Sequence, residues 1–251
     1  MRRHRTARVL AVCVTICFWG VSAAHAQPAQ PEPERRWNLE VAAGFDNSIS
    51  GNINSGGIGT LNGELAAITP NAYEDVYGTG LHLRFGGGYL LTPLSEVRVM
   101  FSFQSLDADL TEMGNLGGDD LFAQYDDYQA FAMDVGYRRY HRLAEAIHAY
   151  GEGNVGIGFV DATDVRLVVP ETGLDVSTDF FDQTTAFTLG FNVGVMVGVT
   201  ERLGGFVQLG MRYTTGQGKV DEIFGTGLET INENTARWTI PFVVGVRIGL
   251  F

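Results

Sequence analysis

The sequence predicts an all-β fold, a closed antiparallel transmembrane β-barrel, with eight strands preferred and ten as the alternative. Three observations carry this. An export signal opens the chain, yet no later stretch is continuously apolar over the roughly 20 residues a spanning helix needs. Eight segments alternate apolar with non-apolar residues at the period of a strand. The connections between them are alternately long and short, as expected where long loops emerge at one membrane face and tight turns at the other.

The export signal occupies residues 1–26. Arg2, Arg3, Arg5 and Arg8 precede an apolar run from Val9 to Val21, and Ala24-His25-Ala26 offers small side chains for cleavage before Gln27. Both cysteines, Cys13 and Cys17, fall inside this segment, so the exported chain can form no disulfide or thiolate metal site. Val12 is too bulky for a lipoprotein site at Cys13. Residues 27–36 (QPAQPEPERR) carry proline at three positions and read as a periplasmic lead-in. Residues 37–251 have the length of one domain. The whole chain has a net charge of −12, and loss of the signal arginines makes the remainder more acidic, which argues against nucleic acid as a partner.

The strands follow in order. Trp37, Leu39, Val41, Ala43 and Phe45 form one face of the first; Leu81, Leu83 and Phe85 repeat the period, then Val97, Val99, Phe101 and Phe103. The fourth holds Phe131, Met133, Val135 and Tyr137, and the fifth, diluted by glycine, runs from Ile147 to Phe159. Phe187 to Val197, Val207 to Tyr213, and Trp238 to Leu250 complete the set. Leu91–Ser95, Tyr140–Glu145 and Thr200–Gly204 are tight turns; Asp46–Gly78, Asp107–Asp127, Asp161–Asp182 and Gly216–Ala236 are long connections assigned to the outside. The third long connection contains Val165, Leu167, Val169, Leu174 and Val176, either a hairpin above the membrane or two further strands. Eight strands are preferred because ten would draw Asp161, Asp164, Arg166, Asp175 and Asp179 into the membrane zone, a costly placement on a lipid face.

A soluble sandwich or lipocalin-type barrel would also alternate, but its second face would carry the charges of a solvated surface. Here that face is largely glycine, as at Gly190, Gly194, Gly198, Gly245 and Gly249. Such a face suits the cramped inside of a narrow barrel, and closure satisfies every backbone group within hydrocarbon.

The inward set includes Glu40, Arg84, Arg98, Asp134, Glu152, Arg212 and Arg247, read as an internal salt-bridge network. Trp37, Tyr89 and Tyr137 fall at the periplasmic boundary and Tyr213 and Trp238 at the outer one, as interfacial girdles. Acidity concentrates in the long connections, where Asp107, Asp109, Asp119 and Asp120 are weak candidates for a divalent cation, with no spacing that matches a defined cation loop. Nothing calls for a cofactor. For an enzyme, only His82 lies toward the outer rim, and no serine stands at a diagnostic distance from it.

Taken together, residues 37–251 resemble the eight-stranded outer-membrane barrels of the OmpA transmembrane domain, OmpX, OmpW and opacity-protein kind. The most specific segment is Trp238–Phe251 (WTIPFVVGVRIGLF), which looks like a C-terminal strand read by the barrel assembly machinery through a terminal aromatic, although Leu250 rather than Phe251 shares the outward phase. The resemblance implies a Gram-negative outer-membrane location, with lipid, lipopolysaccharide and the assembly machinery as partners and an extracellular ligand for the loops. It implies a non-enzymatic surface protein first, a narrow channel for small solutes second, and a lipid A-modifying enzyme third. No further domain follows Phe251, so a tether to the cell wall is not expected.

Overall fold

Among the described residues, fifteen strands and one helical turn follow one another along the chain. They are β1 (Trp37–Ser50), β2 (Gly57–Leu61), β3 (Glu64–Ile68), the turn Tyr73–Val76, β4 (Gly80–Thr92), β5 (Ser95–Leu106), β6 (Thr111–Leu116), β7 (Asp119–Tyr125) and β8 (Tyr128–Arg142). Then come β9 (Ile147–Val160), β10 (Thr163–Val169), β11 (Leu174–Asp182), β12 (Thr184–Gly198), β13 (Leu203–Thr214), β14 (Gly218–Lys219) and β15 (Arg237–Gly249). This computed structural model describes residues 36–61, 63–220, 228 and 230–250; the export segment, the lead-in before Arg36, and Phe251 lie outside the described residues.

Eight strands close into a ring in the order β1-β15-β13-β12-β9-β8-β5-β4. Closure is made by β1, which pairs with β15 from Asn38↔Gly249 to Ser50↔Trp238 and with β4 from Trp37↔Tyr89 to Asp46↔Gly80. No edge is left open in the ring, so the backbone can sit in hydrocarbon. The strands run 12 to 15 residues, longer than the roughly 9–11 a tilted spanning strand needs. Their outer ends therefore stand above the membrane.

The outward face carries the apolar alternation. Val41 is 59% exposed and Phe187 48%, and Leu39, Phe85, Val135, Leu189, Val207 and Val246 share that face. A contiguous apolar surface of this extent is not stable in water. It is the lipid-facing belt of a membrane-spanning barrel.

At the outer ends of the strands the polarity inverts. Leu106 on β5, Tyr128 and Ala130 on β8, Val160 on β9 and Ala186 on β12 turn inward and are buried. They floor a second hydrophobic core built by the long connections, in which Met113, Leu121, Tyr125, Val165, Leu167 and Phe180 are almost inaccessible. Those connections pair into a seven-stranded sheet of order β14-β11-β10-β7-β6-β3-β2. Reading Asp46–Gly78 and Asp107–Asp127 as loops is thus corrected: they hold the β2–β3 and β6–β7 hairpins. The ten-stranded alternative is also removed, because β10 and β11 pair with each other and with β7 and β14, not with barrel strands. Above the membrane the environment outside is water, so apolar residues face in, opposite to the spanning segment.

Candidate functional site

The lumen is the most elaborated part of the molecule. It is filled from the short-turn end outward by tiers of charged side chains. In the first tier, Arg138 lies between two carboxylates, with Nη1 2.7 Å from Glu40 Oε1 and Nη2 2.7 Å from Glu152 Oε2. Arg98 also pairs with both Glu40 and Glu152, and its Nε lies 3.0 Å from Glu96 Oε1. Arg247 reaches Glu96 at 2.8 Å, the Tyr140 hydroxyl donates to the same carboxylate at 2.8 Å, and Arg84 meets Glu152 at 3.2 Å. Arg138 is wholly buried and lies 4.0 Å from the centre of the Tyr150 ring.

Above this tier Arg212 pairs with Asp134 at 3.2 Å, and Thr188 donates to the same carboxylate at 2.7 Å. The third tier is centred on Asp46, which accepts hydrogen bonds from Gln104 and Thr239 and lies 3.5 Å from His82 Nδ1. Arg237 donates to Gln104 at 3.0 Å and lies 3.8 Å from the centre of the Tyr128 ring, in the floor of the outer core.

Glycines make room for these groups. A Cβ at Gly88 would fall 2.2 Å from the Glu96 carboxylate, and one at Gly194 2.4 Å from the Tyr150 ring. The large inward side chains thus lie over bare backbone on the neighbouring strand. This explains why the non-apolar face is so rich in glycine. Buried charges persist when paired and hydrogen-bonded, and an eight-stranded barrel is only wide enough for side chains to fill.

All seven charged residues singled out from the sequence, Glu40, Arg84, Arg98, Asp134, Glu152, Arg212 and Arg247, point into this lumen. Sequence reasoning missed Asp46, Glu96, Arg138 and Arg237. Arg138 shares the phase of Asp134, and Glu96 that of Arg98, so the strand period alone could have found them. Asp46 and Glu96 lay at the boundaries drawn between strand and connection, and β1 continues four residues beyond Asp46.

The aromatics sit at both rims. Trp37 packs on Tyr89 at 4.9 Å and Tyr137 faces outward at the short-turn end, while Tyr213 meets Trp238 at 5.1 Å at the other. Phe251 is outside the described residues. The candidate cation ligands do not converge: Asp107 and Asp109 precede β6, whereas Asp119 and Asp120 follow the hairpin tip at the far end of that strand. Among the described residues no group of three or more His, Cys, Asp or Glu side chains is placed to hold a metal.

The outer sheet has a distinct electrostatic character. Asp164 pairs across the β10–β11 hairpin with Asp179, and its backbone N–H lies 3.3 Å from an Asp126 carboxylate oxygen. Slight desolvation and then repulsion from Asp179 and Asp126 raise the Asp164 carboxyl above its ordinary value. Burial pushes the Tyr73, Tyr77 and Tyr125 hydroxyls up as well.

No protein-family model and no curated protein matches the sequence. Solved structures do. Neisserial surface protein A is 12% identical, with 85% of this chain and 97% of that one covered and a TM-score of 0.46. A major outer membrane protein from Thermus thermophilus is 15% identical over 85% and 99% of the two chains, with a TM-score of 0.46. The outer membrane protease OmpT from Escherichia coli is 10% identical over 89% and 99%, also with a TM-score of 0.46. The assignment of this chain as a transmembrane barrel rests on its own strand pairing and apolar belt.

Proposed function

We propose that the protein is a non-enzymatic surface barrel of the outer membrane, closed to solute flow, whose work is to hold a folded acidic sheet outside the cell for contact with the environment or a partner. One observation carries this reading: the lumen is blocked by paired charges and roofed by a separate hydrophobic core, so the molecule invests its long connections in a rigid outer platform rather than in a pore mouth. The lipid belt faces membrane lipid and, at the outer rim, lipopolysaccharide. The C-terminal strand is the segment the assembly machinery would read. His82, the histidine nearest the outer rim, is buried beneath the roof, which argues against a hydrolytic centre open to substrate.

Planar-bilayer recording of the refolded protein tests the closed lumen. No unitary conductance is expected. Reproducible unitary steps that disappear on changing Arg84 or Glu152 would replace this reading with a narrow channel. Lipid A profiles from cells with and without the protein should be identical, and a modified lipid A species would make it an enzyme.

A further inference from the structure

β8 carries two arginines in succession near the short-turn end, and the strand period sends them to opposite faces. Arg138 enters the lumen, where Glu40 and Glu152 pair with it. Arg139 takes the outward phase of Val135 and Tyr137 and is exposed, and its side chain has no ion-pair or hydrogen-bond partner among the described residues. It lies two residues beyond Tyr137 toward the short turn, at the depth where interfacial aromatics meet lipid headgroups. His141, also exposed, is the next outward position. We propose that this face binds one glycerophospholipid of the periplasmic leaflet, with its phosphate on Arg139 and His141 and one acyl chain laid over Gly151 and Gly153 of β9.

The strand register builds a trench for that chain. Tyr137 and Arg139 stand directly across from Gly153 and Gly151, and on the other flank Phe191 and Val193 of β12 stand across from the same two glycines. Tyr137 and Phe191 project into the lipid zone, each nearly half exposed, while β9 offers bare backbone between them. The flanking rows are two strand spacings apart, about 10 Å, which leaves room between their side chains for a single hydrocarbon chain. Arg139 closes the headgroup end of the trench.

Nothing inside the chain accounts for these two glycines. Gly88 and Gly194 lie under lumen side chains, whereas a Cβ at Gly151 or Gly153 meets nothing within 4 Å. The pairing of β9 with β8 and β12 runs through both positions without a bulge. Glycine weakens a strand and, bulges and bends aside, marks the close approach of a ligand or another backbone; further along the same face β9 returns to Val155 and Ile157. Charge chooses between those two occupants. A second copy seated here about a two-fold axis along the membrane normal would bring its own Arg139 toward this one, like against like. A phospholipid instead brings a phosphate, which the guanidinium fork fits, on the same molecule as the acyl chain that fills the trench.

The test is native mass spectrometry of the exported chain, refolded in detergent, freed of lipid and titrated with dioleoyl phosphatidylglycerol. One adduct should form and saturate at one lipid per barrel, and dioleoylglycerol, which has the chains without the phosphate, should bind at least about tenfold more weakly, the worth of one charge-assisted contact. Arg139→Gln should weaken the phospholipid adduct by a similar factor. Gly151→Leu with Gly153→Leu fills the trench from the lipid side, away from the lumen, and should abolish it. Arg36→Gln, at the start of β1 on the opposite side of the ring from β9, should leave it unchanged. A statistical ladder of adducts, a protein dimer in place of the lipid adduct, equal binding of dioleoylglycerol, or an adduct indifferent to the Arg139 or the glycine substitutions overturns the proposal. Heat-modifiable gel migration shows that each variant has folded, and the comparison of the two lipids on the unsubstituted chain stands without them.

Discussion

Glu152→Gln is the sharpest perturbation of the lumen. The carboxylate of Glu152 pairs with Arg84 at 3.2 Å, with Arg138 at 2.7 Å and with Arg98, and it accepts from Asn192 at 3.3 Å. The amide keeps the shape and removes the charge, so Arg84 loses its ion pair and the first-tier arginines Arg84, Arg98, Arg138 and Arg247 are left with two carboxylates, Glu40 and Glu96. Breaking a buried ion pair by removing one partner costs about 3–5 kcal/mol. Arg138→Met should be milder, because it removes contacts but leaves the first tier with as many arginines as carboxylates. The double variant should then be more stable than Glu152→Gln alone, with a coupling of about 1–3 kcal/mol. Urea unfolding of the micelle-folded barrel, followed by tryptophan fluorescence and by gel mobility of unheated samples, measures all four proteins. If Glu152→Gln falls within about 1 kcal/mol of the parent, or if the two substitutions simply add, the charges are solvated and the filled-lumen argument fails.

Two further outcomes follow from the same geometry. Gly194→Ala places a methyl group 2.4 Å from the Tyr150 ring and 2.6 Å from the Val207 carbonyl oxygen and should destabilise by about 1–3 kcal/mol; Gly151→Ala on the lipid side meets nothing within 4 Å and should stay within about 0.5 kcal/mol in the same unfolding assay. On the outer sheet, the Asp164 carboxyl is raised by slight desolvation and by Asp179 and Asp126, so the folded state binds the extra proton between the ordinary carboxylate value and the raised one. Stability of the β10–β11 hairpin should therefore fall as pH rises through that window and recover on mild acidification, and Asp164→Asn should remove the trend. Amide hydrogen exchange of the hairpin reads this, and pH-independent protection in the parent would contradict it.

The barrel was legible because lipid imposes one rule along the whole spanning strand. Leu39, Val41 and Phe45, or Phe187 to Val197, keep an unbroken apolar period that neither helix nor loop reproduces. The outer sheet was not legible for the opposite reason. Its strands are short, as with Thr111–Leu116, their apolar residues turn inward, and charges such as Asp164, Arg166 and Asp175 occupy the water face. Their pattern is that of many exposed hairpins, and only pairing among distant connections makes one sheet of them. The lumen network was partly legible. Parity placed Glu40 and Arg98 inside but could not show that Arg138 bridges Glu40 and Glu152, a contact between residues 98 positions apart for the first of these. Nor could it show which glycines lie beneath which side chains.

Cysteine accessibility in intact cells tests the whole account most directly, since residues 37–251 contain no cysteine, the two of the sequence being Cys13 and Cys17. Single replacements Asp120→Cys at a hairpin tip, Leu143→Cys in a short turn and Ser102→Cys in the lumen would be probed with a membrane-impermeant maleimide. The expected result is labelling of Asp120→Cys on intact cells, of Leu143→Cys only after the outer membrane is permeabilised, and of Ser102→Cys only after unfolding. Labelling of Leu143→Cys on intact cells would contradict the orientation, and labelling of Ser102→Cys in the folded protein would contradict the sealed barrel.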